Sequence, residues 1–327
     1  MKMEIDKDCA IQRINEFYSN SRPFIFVASY DCQRNIVMPL DEIDPSIIQY
    51  DVQGITNAPT AKSRNNCFKL KKNPKSYLEF RKHFDFVHKH LALGNTYLLN
   101  LTQPTRIDCN YSLSEIFQAS QARYKLWIRD QFVVFSPEIF VQIEDEVISS
   151  NPMKGTIDAN IDDAASTLLE NQKEMAEHVT IVDLIRNDMS VFACNVEVSK
   201  FRYIDEVRTH EKRLLQASSQ IQGQIKKEMQ GKIGQIIYSL LPAGSISGAP
   251  KPKTLEIINE AEGYDRGYYT GVFGIFDGKR IDSGVMIRFI EQTNDGLIYK
   301  SGGGIHFLSD SRAEYQELID KVYVPLH

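Results

Sequence analysis

The sequence predicts an α+β protein, and three observations carry that prediction. Its 327 residues are 42% hydrophobic and 25% charged, enough for a large core, though length alone leaves one large α/β or α+β domain or two smaller ones open. Short strand-like runs at 272–276, 283–291 and 297–300 are separated by the turn signals Asp277-Gly278 and Asn294-Asp295-Gly296, the pattern of an antiparallel meander. Helical stretches stand at 76–93, 170–188 and 311–322.

Taken in order, a helix around 10–18 is followed by short apolar runs at 23–29 and 35–40 that read as strands. Residues 51–76 are polar and read as a long loop. The helix at 76–93 is stopped by Gly94, and a strand is expected at 96–102. Runs at 126–135 and 139–150 look like paired strands broken by Ser136-Pro137-Glu138, which leaves Glu138 as a turn carboxylate at a strand end. Pro152 and Gly155 then bracket Lys154 on an expected tight loop. A lysine so placed becomes a nucleophile if it is desolvated, and the other reading is an ordinary surface lysine. Strands at 196–203 and 216–225 and a helix at 231–240 lead to the loop 241–251, whose amides face the start of a further helix at 252–262, a place for an anion or a plain helix entry. Arg288 falls within the strand run 283–291, where it needs an anionic partner. Ser301-Gly302-Gly303-Gly304-Ile305 ends the last strand, and Ser311 with Glu314 has the spacing of a capping box for the final helix.

The formal charge of −5 gives no electrostatic footprint for nucleic acid. The five cysteines (Cys9, Cys32, Cys67, Cys109, Cys194) are scattered, without a C-x-x-C pair, and fit a reducing compartment. No stretch approaches a membrane span and the N-terminus lacks an apolar signal core, so the expectation is a cytoplasmic protein without a membrane partner.

The chemistry is concentrated in two acidic helices. Glu170, Glu174 and Glu177 fall at i, i+4 and i+7 on the helix 170–188, ahead of an apolar run with Asp183, Arg186, Asn187 and Asp188 threaded through it. The final helix repeats the E-x-x-E pattern, with Glu314, Glu317 and Lys321 on one face. A solvated acidic face is the plain reading of either helix alone. Two such faces brought together repel unless a divalent cation lies between them, and Mg2+ fits because it takes oxygen ligands and is shared with an anionic substrate. With Arg288, Lys321 and two amide-rich loops, the expected ligand carries more than one carboxylate.

The motifs SPEIF (136–140), NPMKGT (151–156), EMAEHVTIVDLIRND (174–188), PAGSISGAPK (242–251), RGYYTG (266–271), GGGI (302–305) and EYQELIDK (314–321) resemble, in order, those of the chorismate-utilising enzymes, from about residue 96 to 321. The resemblance implies a single large chorismate-binding domain, α+β, with two mostly antiparallel β-sheets packed together and flanked by helices. Residues 1–75 would add strands and a loop to that domain, and 76–327 the catalytic core. It implies Glu177 and Glu317 as direct Mg2+ ligands and Glu174 and Glu314 as acids reaching the metal through water. Tyr269 and Arg288 match contacts to the enolpyruvyl carboxylate. Ser245, Gly302, Gly304 and Lys321 match groups around the ring and its carboxylate, and Gly155 and Thr156 join the substrate-binding set. Glu138 matches a general acid/base near the departing hydroxyl.

Lys154 points to one branch of that family. The aminodeoxychorismate branch carries lysine here, taken to attack ring carbon C2 as the C4 hydroxyl leaves, while the anthranilate branch carries alanine. The resemblance therefore implies conversion of chorismate and ammonia to 4-amino-4-deoxychorismate for p-aminobenzoate and folate synthesis, with anthranilate formation as the alternative and a non-catalytic scaffold below it. No cysteine sits in a G-x-C-x-G context, so a separate glutamine amidotransferase subunit is the expected ammonia source. Gln216 replaces a family histidine that matters to pyruvate elimination, and Leu98 replaces the lysine that activates water in isochorismate formers. Asn151 replaces an arginine of many relatives, with no physical account of its effect. No counterpart of the tryptophan-site LLES motif is present, so feedback by tryptophan is not expected.

Overall fold

The computed structural model describes residues 3–60, 67–208 and 213–326. Two compact units are each assembled from three chain segments: Met1–Ile43, Glu138–Ser245 and Arg266–Val285 form the first, and Asp44–Pro137, Ile246–Asp265 and Met286–His327 the second. Each unit holds one nine-stranded sheet with flanking helices, and every strand pairing described is antiparallel.

In the first unit the strand order is 153–158, 213–225, 147–150, 139–144, 281–285, 272–276, 24–28 and 35–39, with 193–208 also paired to 213–225. Phe24–Ala28, Val272–Phe276 and Ile281–Val285 are buried at every position, which is why they read as continuous apolar runs rather than alternating ones. Helix Lys7–Ser19 buries Ala10 and Ile14 and meets helix Ile233–Ser239 so closely that a Cβ on Gly234 would stand 2.5 Å from the Ile11 carbonyl oxygen.

The second unit orders its strands 248–249, 98–109, 296–306, 289–293, 132–136, 124–128, 48–52 and 55–56, with 70–73 added against 98–109. Helix Tyr77–Ala92 starts in a full capping box of Ser76 and Glu79. Its apolar stripe of Phe80, Phe84, Val87 and Leu91 packs with Ile257, Ile258 and Leu318 over Leu99, Leu101 and Ile305 of the sheet.

Several expectations change here. The runs 126–135 and 139–150 are not paired with each other; each is a hairpin of its own, Tyr124–Ile128 with Phe132–Ser136 in the second unit and Ile139–Glu144 with Val147–Ser150 in the first. The hairpin turns use Asp130 (φ 59°), Asp145 (φ 49°) and Glu146 (φ 62°) in the left-handed region, without the glycine that would have announced them. The run 283–291 is likewise two strands, Ile281–Val285 and Phe289–Thr293, so Arg288 lies between strands, at φ 55°. Lys154 sits on strand Met153–Asp158 rather than on a loop, and the glycines 302–304 lie inside the strand Gly296–His306. The stretch 51–76 holds short strands Ile55–Thr56 and Leu70–Asn73, while 61–66 fall outside the described residues.

Candidate active site

In the first unit the acidic helix is Gln172–Ser190, and Asn171 caps it by accepting the Glu174 backbone N–H at 3.0 Å. Asn171 also ends the preceding helix Ala164–Glu170, so Glu170 is separated from Glu174 and Glu177 and the expected three-acid face becomes a pair. Glu177 is 6% exposed. Lys154 reaches it from the neighbouring strand, its Nζ donating to Glu177 Oε2 at 3.0 Å. The strand places the lysine through a bulge between Lys154 and Thr156 at Gly155, whose φ is 80°. A Cβ there would stand 2.7 Å from Leu168 Cδ1 and 3.4 Å from Glu174 Oε2, so the absent side chain is what lets the bulge pass beside the acids. Thr156 follows on the strand; its side chain is outside the described part of the chain.

Behind Glu177 the helix is anchored by a buried polar cluster. His178 Nε2 is hydrogen-bonded to Ser219 Oγ at 2.6 Å, and Ser219 Oγ accepts the Arg202 backbone N–H at 2.9 Å. Arg202 donates from its guanidinium to the carbonyls of Leu168 and Leu169, at the end of the helix that packs on Gly155. Burial, then the nearby cations Arg202 and Lys154, push the His178 imidazole down to about 4, so it is neutral at ordinary pH.

Glu138 and Ser245, distant in sequence, are joined by a hydrogen bond from the Ser245 hydroxyl to Glu138 Oε1. Both line a pocket with Ile185, Asp188, Met189 and Gly244. Tyr269 is 2% exposed, in a turn where its N–H donates to the Arg266 carbonyl and the Tyr30 N–H holds the Gly267 carbonyl.

In the second unit the acidic pair stands on helix Ser311–Asp320. Its cap is Asp310, which accepts the Arg312 and Ala313 N–H groups, in place of the expected Ser311 capping box. Glu314 is 3% exposed and accepts the Ser309 hydroxyl at 2.6 Å. Lys321 Nζ lies 2.6 Å from Glu317 Oε1 and donates to the Gly302 carbonyl at 2.9 Å. Arg288 Nη1 donates to the Lys321 carbonyl at 3.2 Å, with its guanidinium 4.9 Å from the Tyr323 ring centroid. Gly304 pairs with Asn100 along the same strand.

The candidate residues thus gather within each unit: Lys154, Gly155, Glu174 and Glu177 in one group and Glu138 with Ser245 in another, then Gly302, Glu314, Glu317, Lys321 and Arg288 in the second unit. Sequence reasoning missed Gly303. A Cβ on it would lie 3.4 Å from Glu314 Oε2 and 3.6 Å from Glu317 Oε1. The signal was the strand itself, since reading the glycines as a strand end hid the face that 303 presents. The His178, Ser219 and Arg202 cluster was also missed, and no spacing rule announces it.

Among the described residues, no three His, Cys, Asp or Glu side chains form a ready metal cluster. Each unit presents a carboxylate pair of its own, with an ammonium beside Glu177 in the first and another beside Glu317 in the second. Carboxylate oxygens of this kind suit a hard divalent cation rather than zinc. Among the described residues, no helix is long and apolar enough to cross a membrane.

Residues 38–327 match the model of the chorismate binding enzymes, and the chain belongs to that family. It is 48% identical over 97% of its length to an uncharacterized PabA-like protein of Pasteurella multocida, covering 98% of that protein. It is 32% identical to aminodeoxychorismate synthase component 1 of Salmonella typhimurium, over 76% of this chain and 57% of that one. An anthranilate synthase component 1 of Haloarcula marismortui is also 32% identical, over 72% of this chain and 50% of its own length. The fold matches that of the menaquinone-specific isochorismate synthase of Escherichia coli, with a TM-score of 0.76 at 15% identity, covering 97% of this chain and 82% of that one.

Proposed function

We propose that this chain is the chorismate-aminating component of an aminodeoxychorismate synthase, converting chorismate and ammonia to 4-amino-4-deoxychorismate for p-aminobenzoate and folate synthesis in the cytoplasm. The observation that carries the reading is Lys154, on a strand, mostly buried and in contact with Glu177. A lysine held inside an acidic site is a group the amination needs and an anthranilate-forming site does without.

Lys154, an ammonium while it contacts Glu177, gives a proton to solvent and attacks as the free amine. Its nitrogen bonds to ring carbon C2, both ring double bonds shift, C1=C2 to C1=C6 and C5=C6 to C4=C5, and the C4–O bond breaks. Glu138 gives the departing hydroxyl its proton, so that water leaves, and the Ser245 hydrogen bond keeps that carboxyl oriented. Ammonia then bonds to C4 and loses a proton, both double bonds shift back, and the bond from C2 to Lys154 breaks, returning the lysine. Arg288 and Tyr269 bind the enolpyruvyl carboxylate, Ser245, Gly302, Gly304 and Lys321 bind around the ring and its carboxylate, and Gly155 and Thr156 complete the substrate set. Mg2+, with Glu177 and Glu317 as direct ligands and Glu174 and Glu314 reaching it through water, would offset substrate charge. A glutamine amidotransferase subunit supplies the ammonia, in keeping with the component 1 relative and the PabA-like one.

Anthranilate formation is the second reading, favoured by the equal identity to the Haloarcula marismortui protein. The two separate on products. Purified chain incubated with chorismate, Mg2+ and ammonium is expected to yield a compound in which an amino group has replaced the hydroxyl and which an added lyase converts to p-aminobenzoate. Anthranilate with released pyruvate would replace this proposal by its rival.

A further inference from the structure

Resting on the reading that the acidic pairs hold a divalent cation, we propose that Lys154 and that cation are alternative partners of Glu177. Lys154 neutralises the carboxylate before the metal binds, and the metal releases it toward the substrate.

Glu177 is 6% exposed, so little water compensates its charge and it needs a counter-charge at every stage. Lys154 supplies one at 3.0 Å, and it arrives on a strand rather than on a mobile loop. Two cations held against one buried carboxylate repel strongly at such range, so a metal taking Glu177 weakens the ammonium contact and favours its release. The freed lysine stays beside the site because Gly155 and the bulge fix its backbone. Lys321 and Glu317 repeat the contact at 2.6 Å, but their side chains are 30% and 48% exposed, and water can stand in for either partner. Losing the ammonium therefore weighs more at Glu177 than at Glu317. The exchange imposes an order on the reaction, metal first and the covalent step second.

The test is calorimetric titration of the full-length protein with Mg2+, without chorismate, for wild type, Lys154→Met, Lys154→Arg and Glu177→Gln. Lys154→Met, having lost the competitor, is expected to bind the metal about tenfold more tightly or better, and Lys154→Arg, which keeps a cation, within about threefold of wild type. Thermal unfolding gives a second readout: Mg2+ should raise the melting temperature of Lys154→Met by more than that of wild type. If Lys154→Met binds no tighter than wild type while Glu177→Gln loses binding, the exchange is overturned and the metal reading stands. Absence of Mg2+ binding by wild type, or undiminished binding by Glu177→Gln, overturns the metal reading and the exchange with it. Lys154→Met that folds only with Mg2+ supports the exchange, and failure to fold even with saturating Mg2+ overturns it.

Discussion

Each unit carries an E-x-x-E pair on a helix, a lysine in contact with the second acid and a glycine opposite, yet the two are built differently. In the first unit the lysine comes from a neighbouring strand to a glutamate that is 6% exposed. In the second, Lys321 is the fourth residue on from Glu317 along one helix and closes it as the cap residue, with the carboxylate 48% exposed. A tertiary contact to a buried charge can be both obligatory and switchable, whereas a local contact in water is merely favourable. The difference suits Lys154 to the reactive role proposed for it and Lys321 to a binding one.

The largest expected effect lies in turnover. Lys154→Met should lower amination on the order of 10³-fold or more, measured as aminated product per minute, whereas Lys321→Met should chiefly raise KM. Equal effects on kcat would erase the distinction between the two lysines.

Stability sharpens it next. Without metal, Lys154→Met removes the ammonium beside a buried carboxylate and should cost about 3 kcal/mol in denaturant unfolding, against under about 1 kcal/mol for Lys321→Met. His178 adds a pH dependence to the first unit. Its folded-state pKa of about 4 lies below the usual 6.5, so the folded form prefers the neutral ring. The stability this confers is fully present above about pH 6.5 and drains away as pH falls toward 4, by about 3 kcal/mol in all. Arg202 and Lys154 are the cations that face it. His178→Gln should flatten the slope of stability against pH in that window.

The two glycines separate the units as well. Gly155→Ala meets Leu168 at 2.7 Å with φ at 80° and should cost about 1–3 kcal/mol in thermal unfolding. Gly303→Ala meets its neighbours only at ordinary contact distance, 3.4 Å and beyond, and should leave stability within about 0.5 kcal/mol while weakening metal binding.

Much of this was legible in the chain. The acidic pairs, the punctuation at Asp277-Gly278 and the helix at 76–93 follow from local rules that tertiary structure left undisturbed. What escaped did so for identifiable reasons. The turns at Asp130 and at Asp145-Glu146 place side-chain-bearing residues where glycine is the usual signal, so two hairpins read as two long strands. Asn171, a capping residue in the midst of helix formers, divides what periodicity alone joins. Lys154 reads as a loop residue because Pro152 and Gly155 flank it, although the glycine makes a bulge within a strand. The contact of Lys154 with Glu177 spans 23 residues and depends on packing that no spacing encodes.

The most direct test of the account is intact-mass analysis with peptide mapping of the chain quenched during incubation with chorismate and Mg2+, ammonia withheld. An adduct of chorismate less water is expected on the peptide containing Lys154, absent from Lys154→Met and discharged when ammonium is added. Undiminished amination by Lys154→Met, with no adduct on the wild-type chain, would contradict it.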